Sequence, residues 1–214
     1  IGKAIKQYCP KAFLICITNP LDAMVRVLQS SSKVKHNMCV GMAGILDSSR
    51  MKYFLCKALN VSVKSIETFV LGGHGDTMVP MIRYTTISGI PIQELIKNKT
   101  ISKKRVNDIL KRTQNGGGEI NQLLKKGSAF YAPASSAVQM AESFLKNKKM
   151  ILPCAAYLNG EYGVKGLYVG VPVIIGSKGV EKVIKLQLTA IEKKQFNNSV
   201  KAVRKLTNLA LKLS

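Results

Sequence analysis

His74 stands between glycines in "VLGGHGDTMVP" (70–80) and is one of only two histidines in the 214-residue chain. A lone "GHGD" is a weak signal, because a single histidine is also an ordinary structural residue. Two further groups change its meaning. Asp47 and Arg50 in "GILDSSR" are three residues apart, a spacing that puts both side chains on one helix face. By themselves they also read as a capping aspartate with a local ion pair. Asn19 in "ITNP" closes an apolar run, at the carboxyl end of a strand where open parallel sheets bind ligands. Together the four residues suit one chemistry. An imidazole exchanges a proton with a hydroxyl or carbonyl oxygen while a carboxylate fixes its tautomer. An arginine holds a substrate carboxylate with paired hydrogen bonds, and an asparagine orients the reacting oxygen. That set interconverts a 2-hydroxy acid and a 2-keto acid, with the hydride exchanged by a nicotinamide cofactor.

The elements that must position these residues follow from the hydrophobic pattern. "KAFLICITNP" reads as a doubly buried strand, and "PLDAMVRVLQSSS" as a helix with Leu21, Met24, Val25 and Leu28 on one face. "NMCVGMAG" and "LDSSRMKYFLCKALN" repeat the strand–helix rhythm of a parallel α/β sheet. Beyond Asn60 the grammar changes. "SIETFVLGG" and "MIRYTTISG" read as strands, and a polar helical stretch is interrupted by "NGGGE". "APASSAVQMAESFLKNKK" is an amphipathic helix. "ILPCAAYLNG", "GLYVGVPVIIG" and "VEKVIKLQL" form an antiparallel meander, and a last helix runs from about Thr189. The expected fold class is α/β: the carboxyl-terminal part of a Rossmann-type parallel-sheet domain, followed by an α+β catalytic domain with an antiparallel meander. The expected boundary separates residues 1–45 from 46–214.

Composition narrows the function classes. With 46% hydrophobic residues the chain buries a core, and no apolar run approaches the roughly 20 residues of a membrane helix, so no membrane partner is expected. Five cysteines without a C-x-x-C pair fit free thiols in a reducing compartment, and the expected location is cytoplasmic. One histidine beside one aspartate does not make a zinc site, and no metal is expected. The net charge of +22 raises a basic nucleic-acid-binding module as the alternative of another class. Against it, the chain has only six arginines and its lysines are spread along its length, so no nucleic-acid partner is expected.

Five stretches, "ITNPLDAMV", "GMAGILDSSR", "FVLGGHGDTMVP", "SAFYAPASSA" and "LPCAAYLNGEYGVKGLYVGVPVIIG", run in the order found in the lactate/malate dehydrogenase family. The chain resembles that family, and within it the bacterial, lactate-dehydrogenase-like malate dehydrogenases. The resemblance implies roles motif by motif. His74 matches the proton donor and acceptor, Asp47 its paired carboxylate, and Arg50 the substrate clamp. Asn19 matches the residue that touches both substrate and cofactor, with Ile17 and Thr18 beside it along the nicotinamide ribose. Met42 and Pro133 are expected to line the nicotinamide pocket. NAD is the implied cofactor, malate and oxaloacetate are the implied substrates, and a homodimer or homotetramer the implied assembly. Lactate or another 2-hydroxy acid stays open, although lactate dehydrogenases usually carry glutamate where Gly73 stands. The family's G-x-G-x-x-G turn, its acidic ribose-binding residue and its arginine-bearing mobile loop have no counterpart in the chain. The expectation is therefore an amino-terminally truncated member, the carboxyl-terminal two-thirds of the enzyme, which binds NAD poorly and catalyses little alone.

Overall fold

The computed structural model describes residues 1–213. Helix α1 (Gly2–Tyr8) precedes β1 (Leu14–Cys16), α2 (Leu21–Ser32), β2 (Cys39–Gly41) and α3 (Gly44–Leu59). Strand β1 runs parallel to β2, with Leu14 opposite Cys39, so β1–α2–β2 is a Rossmann-type crossover unit. Short strands follow: β3 (Ile66–Glu67), β4 (Val70–Leu71), β5 (Val79–Pro80), β6 (Thr86–Ile87) and β7 (Ile90–Pro91). Then come α4 (Ile92–Lys97), α5 (Lys103–Leu124), α6 (Tyr131–Leu145), β8 (Met150–Asn159), β9 (Lys165–Gly176), β10 (Gly179–Val183) and α7 (Ala190–Lys212). Helix α7 starts in a capping box, in which the Thr189 side chain accepts from Glu192 N and the Glu192 carboxylate from Thr189 N.

The sheet corrects the expected fold class. It is a single five-stranded sheet in the order β1-β2-β8-β9-β10, not the remnant of one domain standing ahead of another. Strand β2 pairs antiparallel with β8 through Gly41 and Ala155, and this contact joins the parallel strands to the meander. The amino-terminal strands and helices are a formed nucleotide-binding-type unit whose apolar core is completed by the meander. Leu14, Leu21, Val25 and Cys39 pack there with Ala155 and Tyr168 from the meander, and Ile5 of α1 lies against them. Hydrophobic period reveals that a strand is buried. It does not reveal a partner more than a hundred residues away.

Two other expectations need adjustment. "SIETFVLGG" is not one strand, because Ile66 pairs with Ile87 in one small sheet while Val70 pairs with Pro80 in another. The "NGGGE" stretch does not interrupt its helix; α5 runs through it. Glycine costs a helix about 1 kcal/mol relative to alanine, so three in a row suggested a break. Here Gly116 lies against the Arg50 side chain, where a Cβ would stand 3.1 Å from Cδ.

Close backbone approach sets the frame of the site. A Cβ at Gly44 would come within 2.5 Å of the Val70 carbonyl, so glycine lets the start of α3 seat directly on β4. Gly72 and Gly170 exchange backbone hydrogen bonds of 2.8 and 3.0 Å, tying the chain just before His74 to the long β8–β9 hairpin. A side chain at 170 would collide with the Gly72 carbonyl.

Candidate active site

Asn19, Met42 and His74 follow β1, β2 and β4, while Asp47 and Arg50 lie on the first two turns of α3. The Ser48 hydroxyl accepts from Val70 N at 3.0 Å, which fixes the helix start against the strand leading to His74. His74 Nδ1 meets Asp47 Oδ2 at 2.8 Å, and Arg50 Nη1 donates to Asp47 Oδ1 at 3.2 Å. Asp47 is 1% exposed, so its carboxylate is spent inside the protein on these two partners. With Nδ1–H donating to a carboxylate, Nε2 is left as the nitrogen free to exchange a proton.

The electrostatics favour a charged imidazole. Burial works against the imidazolium, but the hydrogen bond and charge of Asp47, with the charge of Asp22, outweigh it. Arg50 opposes them, and His74 titrates above its ordinary value. Arg50 Nε is buried without a hydrogen-bond partner among the described residues. A buried unpaired guanidinium N–H is costly, and this one lies against Gly116 of α5.

One cavity of about 430 Å³ gathers most of the residues expected from the sequence. Ile17, Asn19, Met42, Arg50, His74 and Pro133 all line it, with Gly117, Asn121 and Ser128 from α5 and the loop after it. Thr18 faces elsewhere, into a neighbouring cavity between β1, α1 and α2 that Ile17 also touches. The apolar wall of Ile17, Met42 and Pro133 beside the Asn19 amide suits a flat, weakly polar ring, so the lining fits the nicotinamide end of NAD.

Three polar residues behind His74 were not singled out from sequence. Asp22 Oδ2 accepts the His74 backbone N–H at 2.8 Å. Ser199 Oγ accepts from Gly73 N at 2.7 Å and lies 3.2 Å from Thr77 Oγ1. The signal for Asp22 was a carboxylate one residue after Leu21 and three before Val25, on the buried side of α2 rather than its solvent face. In a first helical turn such a residue reads as a partner of the helix dipole.

Residues 45–213 match the family described as "lactate/malate dehydrogenase, alpha/beta C-terminal domain". The chain belongs to the lactate/malate dehydrogenase family. Among solved structures it is similar to malate dehydrogenase from Cryptosporidium parvum, at 45% identity and a TM-score of 0.97, over 99% of this chain and 67% of that one. Lactate dehydrogenase from Eimeria maxima with NADH and oxamate is 48% identical with a TM-score of 0.95, over 97% and 63% of the two chains. Malate dehydrogenase from Plasmodium falciparum in complex with NADH is 40% identical with a TM-score of 0.96, over 99% and 70%.

These matches replace the expectation of a carboxyl-terminal remnant with family membership along the whole of the given chain. They take in 97–99% of the chain, from its first helix to its last, so the chain is a lactate/malate dehydrogenase family member throughout its length. The chain spans 63–70% of the length of these three relatives. Among the described residues no helix is long and apolar enough to cross a membrane.

Proposed function

We propose that the chain carries the proton-transfer and substrate-holding machinery of an NAD-dependent 2-hydroxy-acid dehydrogenase, acting on malate and oxaloacetate. The carrying observation is the chain of contacts Arg50–Asp47–His74, opening with Asn19 onto one cavity. When bound, NAD would supply the hydride-transfer chemistry that links the hydroxy acid and the keto acid. Ile17, Asn19, Met42 and Pro133 would hold its nicotinamide end, with Thr18 on the neighbouring side. His74 Nε2 takes the hydroxyl proton in one direction and gives it to the carbonyl oxygen in the other. Asp47 steadies the imidazolium during that exchange, a contribution of roughly 10²–10⁴ in rate for the acid–base pair. Arg50 grips the substrate carboxylate through the guanidinium N–H groups that Asp47 leaves free, and Asn19 orients the reacting oxygen.

Malate is favoured over lactate by Gly73. A Cβ there would stand 2.7 Å from Val203 Cγ2, so the glutamate common in lactate dehydrogenases would require Val203 of α7 to shift. The 48% identity to a lactate dehydrogenase supports the second reading, lactate and pyruvate. NADH oxidation with oxaloacetate against pyruvate separates the two. Faster turnover of pyruvate would remove malate, and no turnover of either would remove the dehydrogenase reading. The reading includes a functional division near residue 45, a homodimer or homotetramer, and a cytoplasmic location. The five free cysteines support a reducing compartment.

A further inference from the structure

The loop that carries His74 is held from behind by side chains of two helices. Gly73 N donates to Ser199 Oγ of α7, and His74 N donates to Asp22 Oδ2 of α2. Asp22 is 7% exposed, and its second oxygen, Oδ1, is buried with no hydrogen-bond partner among the described residues. A buried carboxylate with one oxygen unpaired is a costly choice for a purely structural role, because serine or asparagine could accept the same N–H. Its position explains the choice. Asp22 lies three residues after Asn19, so one short segment supplies both an amide on the cavity and a carboxylate behind the histidine.

We infer that Asp22 is a positioning residue for His74, holding the histidine backbone in place and placing a second negative charge behind the imidazole that Asp47 meets in front. The inference rests on the reading of His74 as the proton carrier. The charged and titratable groups around the pair are Asp47 and Arg50 on α3 and Cys16 on β1. Ser199 on α7 and Thr77 beyond the loop complete the polar surroundings. Asp47 and Asp22 both favour the imidazolium, and Arg50 disfavours it. The Asp22 carboxyl itself is pushed up to about 7, by burial first and by Asp47, against the His74 backbone hydrogen bond and charge. The two residues therefore titrate as a coupled pair.

With only two histidines, the 214-residue chain allows a direct test by nuclear magnetic resonance, a His36→Gln variant assigning the signals. Asp22→Asn keeps an acceptor for His74 N and removes the charge. The expected result is a His74 titration displaced to lower pH while that of His36 stays in place. An unmoved His74 curve would overturn the inference. In the unsubstituted chain the Asp22 carboxyl carbon is expected to show an inflection shared with His74; independent curves would also overturn it, and this measurement decides if the variant does not fold. In turnover with oxaloacetate and NADH, Asp22→Ala should lower kcat on the order of 10-fold or more, by misplacing the imidazole, with little change in KM. Absence of turnover in the parent chain would sink the dehydrogenase reading while leaving the titrations to judge Asp22.

Discussion

Replacing Asp22 by asparagine should make the protein more stable at neutral and alkaline pH and much less dependent on pH. The Asp22 carboxyl moves from 3.8 to about 7 on folding, chiefly because burial penalises its charge. That rise is roughly three units at 1.36 kcal/mol each, or about 4 kcal/mol. The folded state keeps the proton after the unfolded chain has released it. The stability this confers is therefore full below about pH 4 and is lost as pH rises to about 7. The raised His74 value acts in the same direction, since its contribution is also lost as pH rises through the folded value. Asparagine has no proton to release. The difference in unfolding free energy, variant minus parent, should climb by about 4 kcal/mol between ~pH 4 and ~pH 8. Urea unfolding at a series of pH values measures it, followed by circular dichroism because the chain has no tryptophan. Other carboxylates cancel in the difference. A difference that stayed flat to within about 1 kcal/mol would mean that burial does not raise the Asp22 carboxyl, and the reasoning would fail.

The other expectations concern the site and its frame. His74→Asn should cost roughly 10²–10⁴ in kcat with oxaloacetate, and a full-rate variant would remove His74 from the chemistry. Keto-acid reduction needs the imidazolium, so its rate should fall as pH rises through the elevated His74 value; Asp47→Asn should move that fall to lower pH. Arg50→Lys should raise KM for the keto acid by about tenfold or more, because an ammonium cannot reproduce the fork, as initial-rate kinetics would register. Gly170→Ala should destabilise by about 1–3 kcal/mol in the same urea experiment, since the new Cβ meets the Gly72 carbonyl.

The legible and illegible parts of this protein divide by the range of the forces involved. The helices over Leu21–Ser32 and Ala190–Lys212 were readable because their apolar spacing and caps are local. The β8–β9 hairpin was readable from two long apolar runs separated by "NGEYG". His74, Asp47, Arg50 and Asn19 were readable as residue types, and all four meet in space. What stayed hidden was long-range pairing. The Gly41–Ala155 contact merges two apparent units into one sheet, and no window of sequence contains both residues. The continuity of α5 through three glycines was hidden for a related reason, since the propensity of the segment is poor and its packing against Arg50 lies elsewhere in the chain. Asp22 was overlooked because a carboxylate in a first helical turn already has an ordinary explanation.

The place of Asp22 bears on how the site works. A histidine that must both release and recover a proton needs an affinity set between two extremes. Burial alone would push His74 toward the neutral form, and Asp47 alone faces competition from Arg50, which shares the same carboxylate. On the proposed reading the arginine has to stay where it is, because the guanidinium N–H groups that Asp47 leaves free are what would meet a substrate carboxylate. A second negative charge behind the ring resolves the conflict without placing an acid in the cavity, where it would repel an anionic substrate. Asp22 meets that requirement: it is buried, it reaches the histidine through the backbone, and it springs from the segment that supplies Asn19. On this reading Asp47 meets the imidazole directly and Asp22 acts on it through the backbone of the same residue, and the stability the protein gives up at neutral pH to keep Asp22 there has its counterpart in the proton affinity of His74.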